Sequence, residues 1–246
     1  MGAATVSLLM TRALLALLLF VPCTMIQARS RAVRPPERIL WVGAHPDDEI
    51  LVSPILGREC VERGVECALL VMTRGEGGGS PAVRSTEMQR AAEMLHATLT
   101  HWSLPDVFGD VDAAWSLAAG GHAQLVANIA SAIAAFAPTV IYTFDPHHGS
   151  TCHPAHRALG ALVLEAAPPN MPIRLVETTS AFTSAVADPI AVDAPATWSY
   201  FVRDAEIHAS QFTPSQVQTF ATIPAEQRRV WLIDSSASPE YTFACN

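Results

Sequence analysis

The sequence predicts an α/β fold: a Rossmann-like three-layer arrangement with a mainly parallel sheet and helices on both faces. Two observations carry the prediction. Short apolar runs alternate along the chain with longer segments of helical apolar spacing, the pattern of βαβ units. The run Ile39-Leu40-Trp41-Val42 is continuously apolar, as a parallel strand buried on both faces requires. Half of the 246 residues (50%) are hydrophobic, enough for one domain with a sizeable core.

Taken in order, Arg38 to Ala44 reads as the first strand. Ile50 to Arg63 has helical spacing and ends near Gly64, and Cys67 to Met72 reads as a second strand. Arg84 to Leu95 is helical, with Met88, Ala91, Ala92 and Leu95 on one side. Gln124 to Phe136 is an alanine-rich helix stopped by Pro138. Thr139 to Phe144 reads as a strand, and Pro154 to Glu165 as a helix with its proline in the first turn. Arg174-Leu175-Val176 reads as a further strand. Gly75 to Gly79 and Asp188 to Thr197 read as loops, and Phe212 to Asn246 carries no clear pattern.

Before the domain, residues 1–28 read as a signal peptide or N-terminal anchor. Arg12 precedes the apolar run Ala13 to Val21, Pro22 ends it, and Ala28 offers a cleavage site. Arg29, Arg31, Arg34 and Arg38 follow, where positive charge hinders translocation. The expectation is export to a periplasmic or extracellular space, or attachment to a membrane through this segment. Residues 29–37 read as a linker and 38–246 as the domain. The net charge of −8 excludes a general nucleic-acid partner. Outside the N-terminal segment, Cys60, Cys67, Cys152 and Cys245 allow disulfides without specifying a pairing, and buried free thiols are the alternative.

The chemistry concentrates at two strand ends. His45, Asp47, Asp48 and Glu49 crowd into one strand-to-helix turn. Imidazole and carboxylate are ordinary zinc ligands. A second carboxylate off the metal can accept a proton from water. Helix capping by Asp47, Asp48 and Glu49 is the competing reading. The second cluster holds His147, His148, His153 and His156 after the strand ending at Phe144, and competes with a solvated polar loop. In parallel sheets ligands gather at the carboxyl ends of strands, so the two clusters can meet. His147 and His148 read as surface residues near the mouth, and Cys152 as a minor metal candidate.

Ala44-His45-Pro46-Asp47-Asp48-Glu49 resembles the signature of the PIG-L/LmbE-like zinc N-deacetylases. The resemblance extends to His153-Pro154-Ala155-His156, to Thr73-Arg74-Gly75-Glu76-Gly77, to Arg84-Ser85-Thr86-Glu87, to Leu104-Pro105-Asp106 and to His208-Ala209-Ser210-Gln211. It implies metal ligation by His45, Asp48 and His156, with Zn2+ as cofactor and Fe2+ or another divalent ion as the alternative. It implies Asp47 as general base and His153 as oxyanion stabiliser and proton donor. Arg84 and Asp106 become candidate substrate contacts, and Glu49 a supporting residue. His208 reads as a hydrogen-bonded structural histidine. One position departs: Ala155 stands where the family carries an aspartate that orients its neighbouring histidine, a role Asp145 can take instead.

The implied activity is removal of the acetyl group from an N-acetylglucosamine-type sugar or conjugate, so the expected partner is a small N-acetyl sugar. The alternatives are a secreted zinc- and carbohydrate-binding module without turnover, and an amidase of the same fold acting on a non-sugar amide.

Overall fold

A computed structural model describes residues 37–177, 189–191, 195–236 and Cys245. The N-terminal segment, nearly all of the linker, Asp188 and residues 192–194 lie outside the described residues.

The first strand, β1 (Arg38–Gly43), is buried from Ile39 onward. It pairs in parallel with β2 (Glu66–Thr73) on one side and with β4 (Val140–Phe144) on the other. β3 (Ala97–Leu104) adds in parallel to β2, and β5 (Ile173–Glu177) to β4. β7 (Arg229–Asp234) runs antiparallel to β5, and β6 (Pro189–Ala191) antiparallel to β7. The sheet order is therefore β3-β2-β1-β4-β5-β7-β6.

Helices follow the strands. α2 (Pro81–Met94) buries Met88, Ala91 and Ala92, and α4 (His122–Phe136) buries Leu125, Ile129 and Ile133. α6 (Pro154–Ala166) packs with α4 and with α3 (Val111–Ala119), while α2, α7 (Pro195–Ile207) and α1 (Ser53–Leu56) form a second packed group. α8 (Pro214–Ala221) leans on α7. The expected three-layer α/β arrangement is present. Gly160 explains how closely α6 approaches the sheet: a Cβ there would lie 2.4 Å from the Phe144 carbonyl oxygen.

Several expectations need correction. The helix expected from Ile50 to Arg63 is three pieces: a 3₁₀ turn (Asp48–Leu51), α1, and a π-helical turn (Gly57–Glu62). Pro54 cannot donate a backbone hydrogen bond, so the helix restarts around it. Helix α2 begins at Pro81, one turn earlier than expected. β3 was not anticipated because it is an edge strand, half-exposed along its length, and shows no continuous apolar run. α3 was missed although Asp110 accepts the Ala113 N–H at 3.0 Å and Gly120 closes the helix in a left-handed conformation, both readable end signals. Part of the loop expected from Asp188 to Thr197 is β6 and the start of α7, and α8 and β7 lie within the stretch that carried no pattern.

The sheet places the site. The chain leaves β1 toward β2 and β3, then returns to β4 on the other side of β1. A crevice forms at the carboxyl ends of β1 and β4, where the order reverses. The His45 and His153 clusters follow these two strands.

Candidate metal centre

Asp48 is the fixed point of the crevice. Its Oδ2 accepts the backbone N–H groups of Ala44 at 2.8 Å and His45 at 2.7 Å. Its Oδ1 then faces the Nε2 of His156 at 3.0 Å. Burial alone would raise its pKa, but His156 and His45 hold the carboxyl well below the usual carboxylate range. Asp48 is therefore an anion with one oxygen tied and one presented.

His156 is oriented from behind. Its Nδ1 lies 2.9 Å from the Gly149 carbonyl oxygen, which accepts only if Nδ1 carries the proton. Nε2 is left facing Asp48 Oδ1, the position from which it would offer its lone pair to an ion held between them. The ring also stacks on Phe144, at 3.9 Å between centroids and 3° between planes. The short segment α5 (Gly149–Cys152) supplies this carbonyl, with positive φ at Gly149 (60°), Ser150 (64°) and Cys152 (58°).

His45 sits between two carboxylates. Its Nδ1 is 3.5 Å from Asp48 Oδ2, and its Nε2 is 3.3 Å from Asp106 Oδ1. Burial alone would lower its pKa, but Asp48, with Asp106, outweighs that and raises it to about 10. The ring nitrogens of His45, His153 and His156 each offer a ligand atom within 4.8 Å of the others.

This donor set fits a small divalent ion. Ligand bonds of ~2.0–2.2 Å in a tetrahedron set neighbouring donor atoms about 3.4 Å apart. The separation of 3.0 Å between Asp48 Oδ1 and His156 Nε2 lies near that value, and His45 Nδ1 stands 3.5 Å from the other carboxylate oxygen, Oδ2. One carboxylate, Asp48, with the two imidazoles of His45 and His156 also matches the mixed oxygen and nitrogen preference of zinc.

Asp47 lines the same cavity, of about 260 Å³, without joining the ligand cluster. Its Oδ1 pairs with the Arg84 guanidinium at 2.9 Å. Burial and the Asp48 charge push its carboxyl up to about 7, with Arg84 pulling the other way. Its backbone is unusual, at φ 122° and ψ −14°, a positive-φ conformation at a non-glycine residue.

Arg84 is only 3% exposed. It donates to the Gly75 carbonyl at 3.1 Å as well as holding Asp47. Gly75, at φ 66°, must be glycine: a Cβ there would lie 2.5 Å from the guanidinium. The surface ion pair between Arg84 and Glu87 that their spacing allows does not form. Glu87 instead accepts from the N–H and hydroxyl of Ser210, at 2.8 and 2.5 Å. Asp106 also lines the cavity, yet its Oδ1 meets His45 and its Oδ2 accepts the Gly77 N–H at 2.9 Å. Its geometry is that of a residue orienting His45.

His153 caps α6, its Nδ1 accepting the Ala155 N–H at 3.3 Å. Burial and the neighbouring His156 and His45 lower its pKa to about 4. Among the described residues no carboxylate lies within ion-pair distance of its ring. Asp145 does not take over the missing orienting role: its Oδ2 accepts the His148 N–H at 2.8 Å. His148 is not a surface residue but buried, 3.2 Å from Glu177; His147 is exposed as expected. Cys152 is bonded to Cys245, which removes it as a metal candidate, and Cys60 is bonded to Cys67.

Sequence reasoning missed two features of the site. Phe108, 75% exposed, lines the cavity with its ring 5.8 Å from that of His153. Its position two residues beyond Asp106 was the available signal. Glu49 contacts His208 at 2.6 Å, a pairing that no local spacing reveals.

Known proteins resemble this chain in sequence and in fold. A family model described as PIG-L, GlcNAc-PI de-N-acetylase, matches residues 40–167. A 1D-myo-inositol 2-acetamido-2-deoxy-alpha-D-glucopyranoside deacetylase from Kineococcus radiotolerans is 32% identical over 155 residues, covering 49% of this chain and 42% of the relative. The chain thus spans less than half the length of that curated relative. Among solved structures, a deacetylase of the teicoplanin biosynthesis pathway aligns with a TM-score of 0.60 at 20% identity, over 82% of this chain and all (100%) of that one. The N,N'-diacetylchitobiose deacetylase from Pyrococcus horikoshii aligns with a TM-score of 0.60 at 17% identity, over 80% of this chain and 83% of that one. At these identities the structural matches establish a shared fold.

Proposed function

We infer the function of this chain from one premise: it belongs to the PIG-L family, whose model is described as GlcNAc-PI de-N-acetylase. It is a metal-dependent hydrolase that removes the acetyl group from an N-acetylglucosamine-type sugar or conjugate. One observation carries the reading. His45, Asp48 and His156 converge on a single cavity that also contains a carboxylate, Asp47, free of the ligand cluster.

His45, Asp48 and His156 would hold the ion. When bound, a divalent ion, Zn2+ in first place and Fe2+ or another as the alternative, supplies a Lewis acid that polarises the carbonyl and lowers the pKa of water towards ~7. Asp106 orients His45, and the Gly149 carbonyl orients His156. Asp47, held by Arg84, takes a proton from the attacking water. The water oxygen bonds to the acetamide carbon. The proton on Asp47 passes to the departing nitrogen as the C–N bond breaks, giving acetate and a free amine.

His153 stabilises the negative charge on the tetrahedral oxygen. Its Nδ1 accepts a backbone N–H, so a neutral ring carries its proton on Nε2, available for donation. This replaces the role of a charged histidine, which the alanine at 155 does not support.

Two disulfides within the described residues support the reading of an exported or membrane-anchored protein, since such bonds persist in oxidising compartments.

The test is acetate release by the metal-loaded protein across a panel of N-acetyl sugars and their conjugates, with metal content measured in parallel. Turnover that tracks bound metal is the expected result. Tight carbohydrate binding with no acetate from any substrate would overturn the hydrolase reading in favour of a binding module.

A further inference from the structure

We propose that Glu49 and His208 form a positioning pair that locks the backbone of Asp47 in its positive-φ conformation, and so aims its carboxylate at the cavity. The proposal rests on the hydrolase reading above, in which Asp47 moves the proton.

The conformation of Asp47 calls for a cause. A non-glycine residue at φ 122° is strained and persists only where its surroundings over-determine it. Its side chain is held by Arg84. Its backbone N–H donates to Glu49 Oε2 at 3.2 Å. Glu49 is fixed in turn by His208, whose Nε2 donates to Oε1 at 2.6 Å. Asp204 Oδ1 stands 3.7 Å from the same nitrogen. All three side chains of this cluster are 0% exposed.

The turn after α7 that carries His208 grips the site from a second direction. Ser210 binds Glu87 of α2, the helix that carries Arg84. Gln211 Nε2 donates to the Gly78 carbonyl at 3.2 Å, in the loop that Arg84 also holds. One turn thus reaches both partners of Asp47: the acceptor of its N–H through His208, and its guanidinium through α2. His208 lies outside residues 40–167, the span of the family match.

Stability alone is a weak reason for such a pair. A buried ion pair is often no more stabilising than well-packed apolar residues of the same volume. What it adds is directional: a hydrogen-bonded carboxylate fixes one backbone geometry where an apolar side chain would tolerate several.

The test uses the full metal-loaded chain. His208→Ala should lower kcat for acetate release by ~10–100-fold, the usual effect of removing an orienting partner. KM and bound metal should stay at wild-type values. His208→Gln, which keeps a donor near the Nε2 position, should recover much of the loss. The double variant Glu49→Gln/His208→Ala should be no slower than the slower single variant, because the two act as one unit. A folded, metal-loaded His208→Ala with wild-type kcat would overturn the proposal, as would multiplicative losses in the double variant. If His208→Ala does not fold, Glu49→Gln, close to isosteric, carries the same test.

A readout independent of turnover separates this proposal from the functional one. The amide proton of Asp47 should move upfield in His208→Ala as its hydrogen bond weakens. An unmoved resonance sinks the positioning role whatever the substrate. A moved resonance in His208→Ala, together with a metal-loaded wild type that releases no acetate, supports positioning and sinks the hydrolase reading alone.

Discussion

Asp48 Oδ1 and His156 Nε2 lie 3.0 Å apart although 108 residues separate them in the chain. Each is held from behind by backbone: Asp48 by two N–H groups after β1, His156 by a carbonyl before α6. Neither can retreat without breaking those bonds, so the opening between them is preformed. Preformed donors spare an ion the cost of ordering its ligands.

This relationship predicts that His156→Ala and Asp48→Ala purify with little or no bound metal under conditions where the wild type retains it. Elemental analysis checks this directly. Full metal content in either variant would move the ion to the neighbouring group of His45 and His153.

Asp47→Ala separates proton transfer from metal binding. Its side chain stands outside the ligand cluster, so the variant should keep its metal. Loss of a general base costs ~10²–10⁴-fold in turnover. Acetate release at saturating substrate is the measurement, and wild-type turnover would rule out the assigned role.

Metal uptake should release protons. Without the ion, His45 is protonated at neutral pH, because Asp48 and Asp106 raise its pKa to about 10. A ligand nitrogen must be unprotonated, so binding expels that proton and strengthens as pH rises towards 10. Calorimetric titrations at pH 7 in buffers of different ionisation enthalpy should give different heats. Identical heats would show that His45 is already neutral. Asp106→Asn removes one of the two raising charges, and should reduce the number of protons released while weakening metal affinity by ~10–100-fold.

The two disulfides should differ in weight. Cys152–Cys245 closes a separation of 93 residues and Cys60–Cys67 one of 7. Chain entropy assigns the longer loop about 4–5 kcal/mol and the shorter about 2. Cys245→Ser should therefore lower Tm more than Cys67→Ser in thermal unfolding. It should also weaken metal retention, because Cys152 belongs to the segment whose Gly149 carbonyl orients His156. Equal Tm losses with unchanged metal affinity would show that the loop is held by other contacts.

The cavity mouth offers a test of substrate class. Phe108 exposes most of its ring beside His153. If a sugar ring lies on it, Phe108→Ala should raise KM for sugar substrates by several-fold and leave kcat nearly unchanged, a loss of ~0.5–1.5 kcal/mol of aromatic contact. Steady-state kinetics on one cleaved substrate decides it.

The linear sequence by itself determined the alternation of strands and helices, and with it the parallel sheet. It also placed two histidine-bearing loops at strand ends, because apolar runs and the His-Pro-Asp-Asp-Glu turn are local signals. What lay beyond it depended on contacts between distant segments. β3 is an edge strand whose half-exposed residues carry no continuous apolar run. The grip of His208 on Glu49 spans 159 positions. The disulfide partners are settled by which cysteines the fold brings together. Arg84 and Asp106 show the same division. Their membership of the site was legible, but only packing decided that one holds Asp47 and the other holds His45, since a buried charge takes the nearest complementary group that the folded backbone supplies.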